Sequence, residues 1–161
     1  MKITQRQLEK ILRYSPETGV FVWVMKPNRR IRIGGIAGWL EENGYVRIEI
    51  CKCRYYAHRL AWLYMTGEWP KEQIDHINGV RSDNRWANLR EATRFINAQN
   101  QRNPRADNVT GFIGVLPWRN SFQARIGLRG KSHYLGTYHT AEQAHEAYLQ
   151  AKRRLHEGCT I

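Results

Sequence analysis

No unbroken apolar run in this chain exceeds six residues, as in residues 20–25, Val-Phe-Val-Trp-Val-Met. A bilayer-spanning helix needs about 20, so no membrane segment is expected. Any core has to be assembled from short strands and amphipathic helices. The 161 residues suffice for one ordinary domain or for two or three small ones. A unit below about 70 residues buries little core without a staple or a partner. The staples are absent: Cys51, Cys53 and Cys159 are odd in number and form no Cys-x-x-Cys pair. That argues against a disulfide framework and against a four-thiolate zinc site. Cys51 and Cys53, two apart, are expected on one buried strand face. The N-terminal segment is amphipathic and lacks an apolar signal core, so a reducing, cytoplasmic setting is expected.

The charge is +12, from 26 Lys plus Arg against 14 Asp plus Glu. Divided at residues 50 and 105, the chain carries excesses of +4, +5 and +3. A basic tail would have concentrated that charge. Spread through segments that also hold six Trp, eight Tyr and four Phe, it describes a folded chain with a basic surface. Nucleic acid is the polyanion such a surface suits, because neutralised phosphates release counterions. The other reading is a basic protein with no such partner.

Periodicity orders the elements. Thr4-Gln-Arg-Gln7 has capping-box form ahead of Leu8, Ile11 and Leu12, which predicts a short helix. Turn chemistry at residues 15–19 precedes a predicted strand over 20–25, and a second strand is predicted over 45–50 with alternating polarity. Residues 58–65 predict a helix closed by Gly67. Residues 74–90 are rich in Asn, Asp and Gly between short apolar anchors, which predicts strand, polar loop and strand, followed by a helix capped by Thr93. Residues 102–108 read as a linker. Three strands are then predicted over 111–115, 122–126 and 133–137, with a capping box at Thr140-Ala-Glu-Gln143 opening a helix. A three-stranded antiparallel sheet crossed by one helix is the economical arrangement. The expected organisation is a β-rich N-terminal region over 1–50, a core over 51–105 and a C-terminal domain over 106–161.

Asp75 and His76 are adjacent, and Asn88 and Asn97 follow 13 and 22 residues after Asp75. Neighbours on a strand face opposite ways, so Asp75 and His76 serve one centre only where the strand ends or bends. A carboxylate and an amide oxygen suit a hard divalent cation, magnesium rather than zinc. His133, His139, His145 and His156 show no partner pattern.

The run His58-Arg-Leu, Asp75-His76-Ile-Asn-Gly79, Asp83-Asn84-Arg85, Asn88-Leu89-Arg90 and Asn97 resembles the HNH endonucleases, especially the phage and intron-encoded homing type. The resemblance implies an α+β fold with a ββα-metal nuclease core and hydrolysis of DNA phosphodiesters. Asp75 and Asn97 would be ligands of one Mg2+ or Mn2+. His76 would be the general base, Asn88 the brace of the loop, and His58 a further active-site histidine. Asn97 stands where a final His often sits in the colicin-like branch. Arg90 and Arg94 are candidates to hold phosphates.

Gly114-Val115, residues 122–126 and the Tyr134-Leu-Gly-Thr137 run with its following helix resemble the plant ethylene-response-factor, or apetala-two, DNA-binding domain. In that family the sheet lies in the major groove. The resemblance implies DNA contacts from Trp118, Arg119, Arg125, Arg129, Lys131 and Tyr134. Leu116 stands where the family has an arginine, so the plant target is not carried over. The chain is thus expected to be a metal-dependent homing endonuclease of double-stranded DNA, monomeric or homodimeric, from a phage or mobile element. The alternatives are an inactive DNA-binding regulator on the same fold and an RNA-associated protein.

Overall fold

A computed structural model describes residues 2–26 and 28–160. Among them are four α-helices and four small antiparallel sheets, and the chain forms two compact units, Met1–Thr93 and Arg94–Ile161.

The first unit opens with α1 (Gln5–Ile11), capped by Thr4 and Gln7 in a reciprocal box. The helix ends at Ile11, one residue short of the expected apolar triplet. Leu12 instead begins β1 (Leu12–Ser15), which pairs with β2 (Val20–Trp23) across the turn at 16–19. The strand expected over 20–25 stops at Trp23, because the amides of Val24 and Met25 donate to the Ile11 carbonyl rather than along a ladder. A three-stranded sheet follows in the order β3 (Trp39–Leu40), β4 (Val46–Ile50) and β5 (Cys53–Tyr56). Cys51 and Lys52 make the β4–β5 turn with φ of 51° and 63°, the left-handed pair that a two-residue hairpin requires. Cys51 and Cys53 are consequently exposed, which corrects the expectation of a buried strand face. The turn takes Cys51 out of the sheet, and Cys53 starts the edge strand.

The helix α2 (Ala57–Thr66) ends on Gly67 in the left-handed conformation, as its sequence predicts. It buries Ala57, Leu60, Ala61 and Leu63 against Leu8, Leu12, Phe21, Trp23, Ile48 and Ile50. One core therefore joins residues on both sides of position 50. Trp62 and Tyr64 pack at its margin. The next pair is β6 (Gln73–His76) with β7 (Leu89–Ala92), joined by a polar loop that ends in the 3-10 turn Trp86–Asn88.

The second unit begins with α3 (Arg94–Gln99). Its three-stranded sheet has β9 (Ser121–Leu128) between β8 (Val115–Trp118) and β10 (Lys131–Tyr138), and α4 (Ala141–Leu155) packs on one face. The first strand lies later than the expected 111–115. Thr110 Oγ1 and the Asn108 side chain bind the Phe112 carbonyl and hold that stretch in a turn. Gly114, at φ 77°, passes so close to Tyr148 that a Cβ there would lie 2.1 Å from the ring. Val115, Ala124, Ile126, Ala144, Tyr148 and Ala151 form the thin core between sheet and helix. Lys152 on α4 is buried, its Nζ donating to the Gln101 carbonyl at 2.6 Å. Burial pulls its pKa below the usual lysine value.

Candidate active site

Antiparallel pairing sets Asp75 of β6 opposite Arg90 of β7, and residues opposite each other share a face. Arg90 Nε and Nη2 both donate to Asp75 Oδ2, at 3.0 and 2.8 Å. Arg90, expected to hold phosphate, is thus the ion-pair partner of the expected metal-binding carboxylate. The pair is partly buried, so removing either partner would leave a desolvated charge uncompensated.

His76 is the last residue of β6 and is 4% exposed. Its Nε2 lies 3.1 Å from Asn84 Oδ1, and Asn84 Nδ2 donates to the Ser82 carbonyl at 3.2 Å. The second bond turns the amide so that its oxygen faces the ring. An amide oxygen only accepts, so Nε2 carries the hydrogen and Nδ1 carries the basic lone pair in the neutral imidazole. Burial lowers the His76 pKa, opposed by the Asn84 hydrogen bond and by Asp75. The ring is neutral near pH 7.

The loop between the strands is braced from within. Asn88 Nδ2 donates to the Asp83 carbonyl at 2.7 Å, and Asn88 Oδ1 accepts from the Asn78 amide at 2.9 Å. Asn78 Nδ2 donates to Asp83 Oδ2, and Arg85 forks onto the same carboxylate. These bonds, led by the one from Arg85, hold Asp83 at a pKa of about 2. A loop with its polar groups paired this way keeps one shape.

The N-terminal hairpin grips the loop from outside. Tyr14 Oη donates to the Asn84 carbonyl at 2.5 Å, and the Trp86 amide donates to the Pro16 carbonyl at 2.9 Å. Gly19, at φ 73°, comes so near that a Cβ would sit 2.4 Å from the Arg85 nitrogen. Only glycine fits there.

His58, in the first turn of α2, is buried with its ring 5.1 Å from that of His76, edge to face. Tyr56 stacks on it at 5.4 Å, and Tyr45 lies 5.2 Å away. Its Nδ1 is buried without a hydrogen-bond partner. Desolvation, assisted by His76 and Arg59, drives its pKa down to about 3. It is a neutral imidazole packed edge-on against His76.

Asp75, His76, Asn88, Arg90 and His58 therefore gather in the first unit. Asn97 lies half-buried on α3 of the second unit, and Arg94 is exposed at the start of that helix. Among the described residues no group of three or more His, Cys, Asp or Glu could hold a metal.

Of the remaining candidates, Trp118, Arg125 and Tyr134 lie on the face of the second unit's sheet opposite α4, whereas Lys131, across from Leu128, shares a face with Ile126. Trp118 and Tyr134 are about half exposed, and Arg119, Arg125, Arg129 and Lys131 are exposed. Tyr134 stands directly across from Arg125, and Arg119 lies over the Trp118 ring at 5.9 Å. Arg119 and Arg129 occupy the two hairpin turns with positive φ.

Sequence reasoning gave no role to Asn84, Tyr14 or Tyr45. Asn84 was visible as the centre of Asp83-Asn84-Arg85. Tyr14 carried no local signal, because its bond to Asn84 joins residues 70 apart.

A family model described as HNH endonuclease matches residues 55–99. That segment runs from β5 through α2, the β6–β7 pair and α3. Comparison with curated proteins and with solved structures gave no match.

Proposed function

We propose that the chain is a metal-dependent DNA endonuclease in which His76 is the general base and the second unit's sheet holds duplex DNA. The observation that carries this is the buried imidazole of His76, held by Asn84 at 3.1 Å inside the segment that matches the HNH endonuclease model. A base needs a basic lone pair and a set direction, and the Asn84 bond supplies both by placing the hydrogen on Nε2. His76 Nδ1 then takes the proton of the attacking water.

The donor chemistry fits a hard divalent cation, Mg2+ or Mn2+. The Asp75 carboxylate is one donor, and Asn97 is the second that the family resemblance implies. When bound, such an ion supplies Lewis-acid stabilisation of charge on the phosphate and the departing 3′-oxygen. Arg90 orients Asp75 by its fork, Asn88 keeps the loop closed, and His58 walls the imidazole with an uncharged edge. Homing from a mobile element, action inside a host cell and a monomer or homodimer belong to the same reading.

A regulator that binds without cutting is favoured by two observations: Asp75 is held by Arg90, and His76 is almost fully covered. Supercoiled plasmid separates the two readings. Nicking with Mg2+, abolished by chelator and by His76→Ala while duplex binding persists, supports the nuclease. Tight duplex binding without nicking in Mg2+, Mn2+, Ni2+ or Ca2+ supports the regulator.

A further inference from the structure

Trp23 and Gly34 close a loop that carries residues 24–26 and 28–33 as a finger. Its root is laced by backbone bonds, Gly34 to Trp23 at 2.7 Å, Trp23 to Gly35 at 3.0 Å and Ala37 to Phe21 at 2.7 Å. Within it the Arg30 amide donates to Asn28 Oδ1, and Ile31 packs against the first unit's core. The finger carries Lys26, Arg29, Arg30 and Arg32, all exposed, and Ile33 is 61% exposed beside them.

The segment is dense in positive charge. Between Glu17 and Glu41 the chain has no carboxylate. The finger's four cations, like most Lys and Arg of the described residues, make no ion pair; what distinguishes them is their density, four on residues 26–32. Four like charges on about seven residues repel one another, and nothing local offsets that. A polyanion would.

We infer that this finger is a second DNA-contacting surface, with Lys26, Arg29, Arg30 and Arg32 gripping backbone phosphates of duplex DNA. The inference rests on duplex DNA being the proposed substrate, but it concerns binding and not cleavage. The Asn28–Ile31 turn, with Ile31 packed on the core, holds Arg29, Arg30 and Arg32 close together. Phosphate contacts position a protein without reading sequence, so the finger adds affinity rather than specificity.

The test is the salt dependence of binding to a random-sequence duplex of about 30 base pairs, followed by anisotropy in chelator so that nothing is cut. Each neutralised phosphate contributes about 0.9 to the slope of log affinity against log salt. The variant K26Q/R29Q/R30Q/R32Q is expected to lower that slope by about 3 and to weaken binding at least tenfold at low salt. A control, R6Q/K10Q/R13Q/K71Q, removes the same charge from exposed sites of the same unit and is expected to change the slope by less than 1. Arg→Lys replacement at 29, 30 and 32 should restore most of the affinity. An unchanged slope, an equal loss in the control, or a loss confined to folded RNA with duplex binding intact overturns the inference. Failure of the wild-type protein to nick plasmid, with the finger still required for binding, would refute the nuclease reading and leave this inference standing.

Discussion

The β6–β7 loop and the outer face of the second unit's sheet treat their polar groups in opposite ways. In the loop, Asn78, Asp83, Asn84, Arg85 and Asn88 bind one another and the neighbouring backbone. On the sheet, Trp118, Arg125 and Tyr134 stand in solvent with few bonds. A group that must hold one orientation for chemistry is wired and covered, because small displacements cost rate. Under the proposed function, a group that meets duplex DNA is left uncovered, because its contacts form only on binding. The difference predicts that substitutions in the loop damage rate or folding, and that substitutions on the sheet damage affinity alone.

The largest expected effect is that of His76→Ala. Plasmid nicking should fall by about a hundredfold to ten-thousandfold, the usual contribution of a positioned base, while duplex affinity stays within twofold. A parallel loss of affinity would break the division between the regions. Next is Asn88→Ala, which strips partners from the Asp83 carbonyl and the Asn78 amide. Unfolding in urea should show a loss of about 2–3 kcal/mol. Gly19→Ala, forced against the Arg85 backbone at an unfavourable φ, should cost a similar amount and reduce nicking with it.

On the sheet, Arg125→Ala or Tyr134→Ala should weaken duplex binding by about 1–2 kcal/mol with an unchanged thermal midpoint. A drop in the midpoint would show that the face is structural. The last effect concerns pH. His58, at about 3 in the folded state and about 6.5 unfolded, binds fewer protons when folded. Stability should therefore be full above pH 6.5 and decline as pH falls toward 3, at up to about 1.4 kcal/mol per pH unit. His76, shifted the same way by burial, adds to the decline. His58→Asn should flatten the profile between pH 6.5 and 4.5 in thermal melts.

The elements that are legible in the sequence are those whose signal is local. Both capping boxes form, at Thr4 and at Thr140. The helix over α2 stops at Gly67, and the β6–loop–β7 pattern follows its anchors. The misplaced edges have causes that hydropathy periodicity does not record. Trp23 ends its strand because the next two amides find Ile11, and the strand after Gly111 starts late because Thr110 and Asn108 hold the Phe112 carbonyl. In the site, the adjacency of Asp75 and His76 and the spacing to Asn88 were visible. The pairing of Asp75 with Arg90 required the strand register, and the role of Asn84 required the fold of the loop.

The sequence by itself determined which side chains are present for the chemistry, the helices that short-range capping and periodicity encode, and a basic surface suited to a polyanion. The tertiary structure alone decided that Tyr14 and Gly19 of the first hairpin clamp the loop. It also decided that His58 lies edge-on against His76, and that Arg90 serves Asp75 rather than solvent. Caps and periods act within a few residues and so can be read along the chain. Contacts between residues 14 and 84, or 58 and 76, exist only once a shared core has closed the loops between them, and no local preference records that closure.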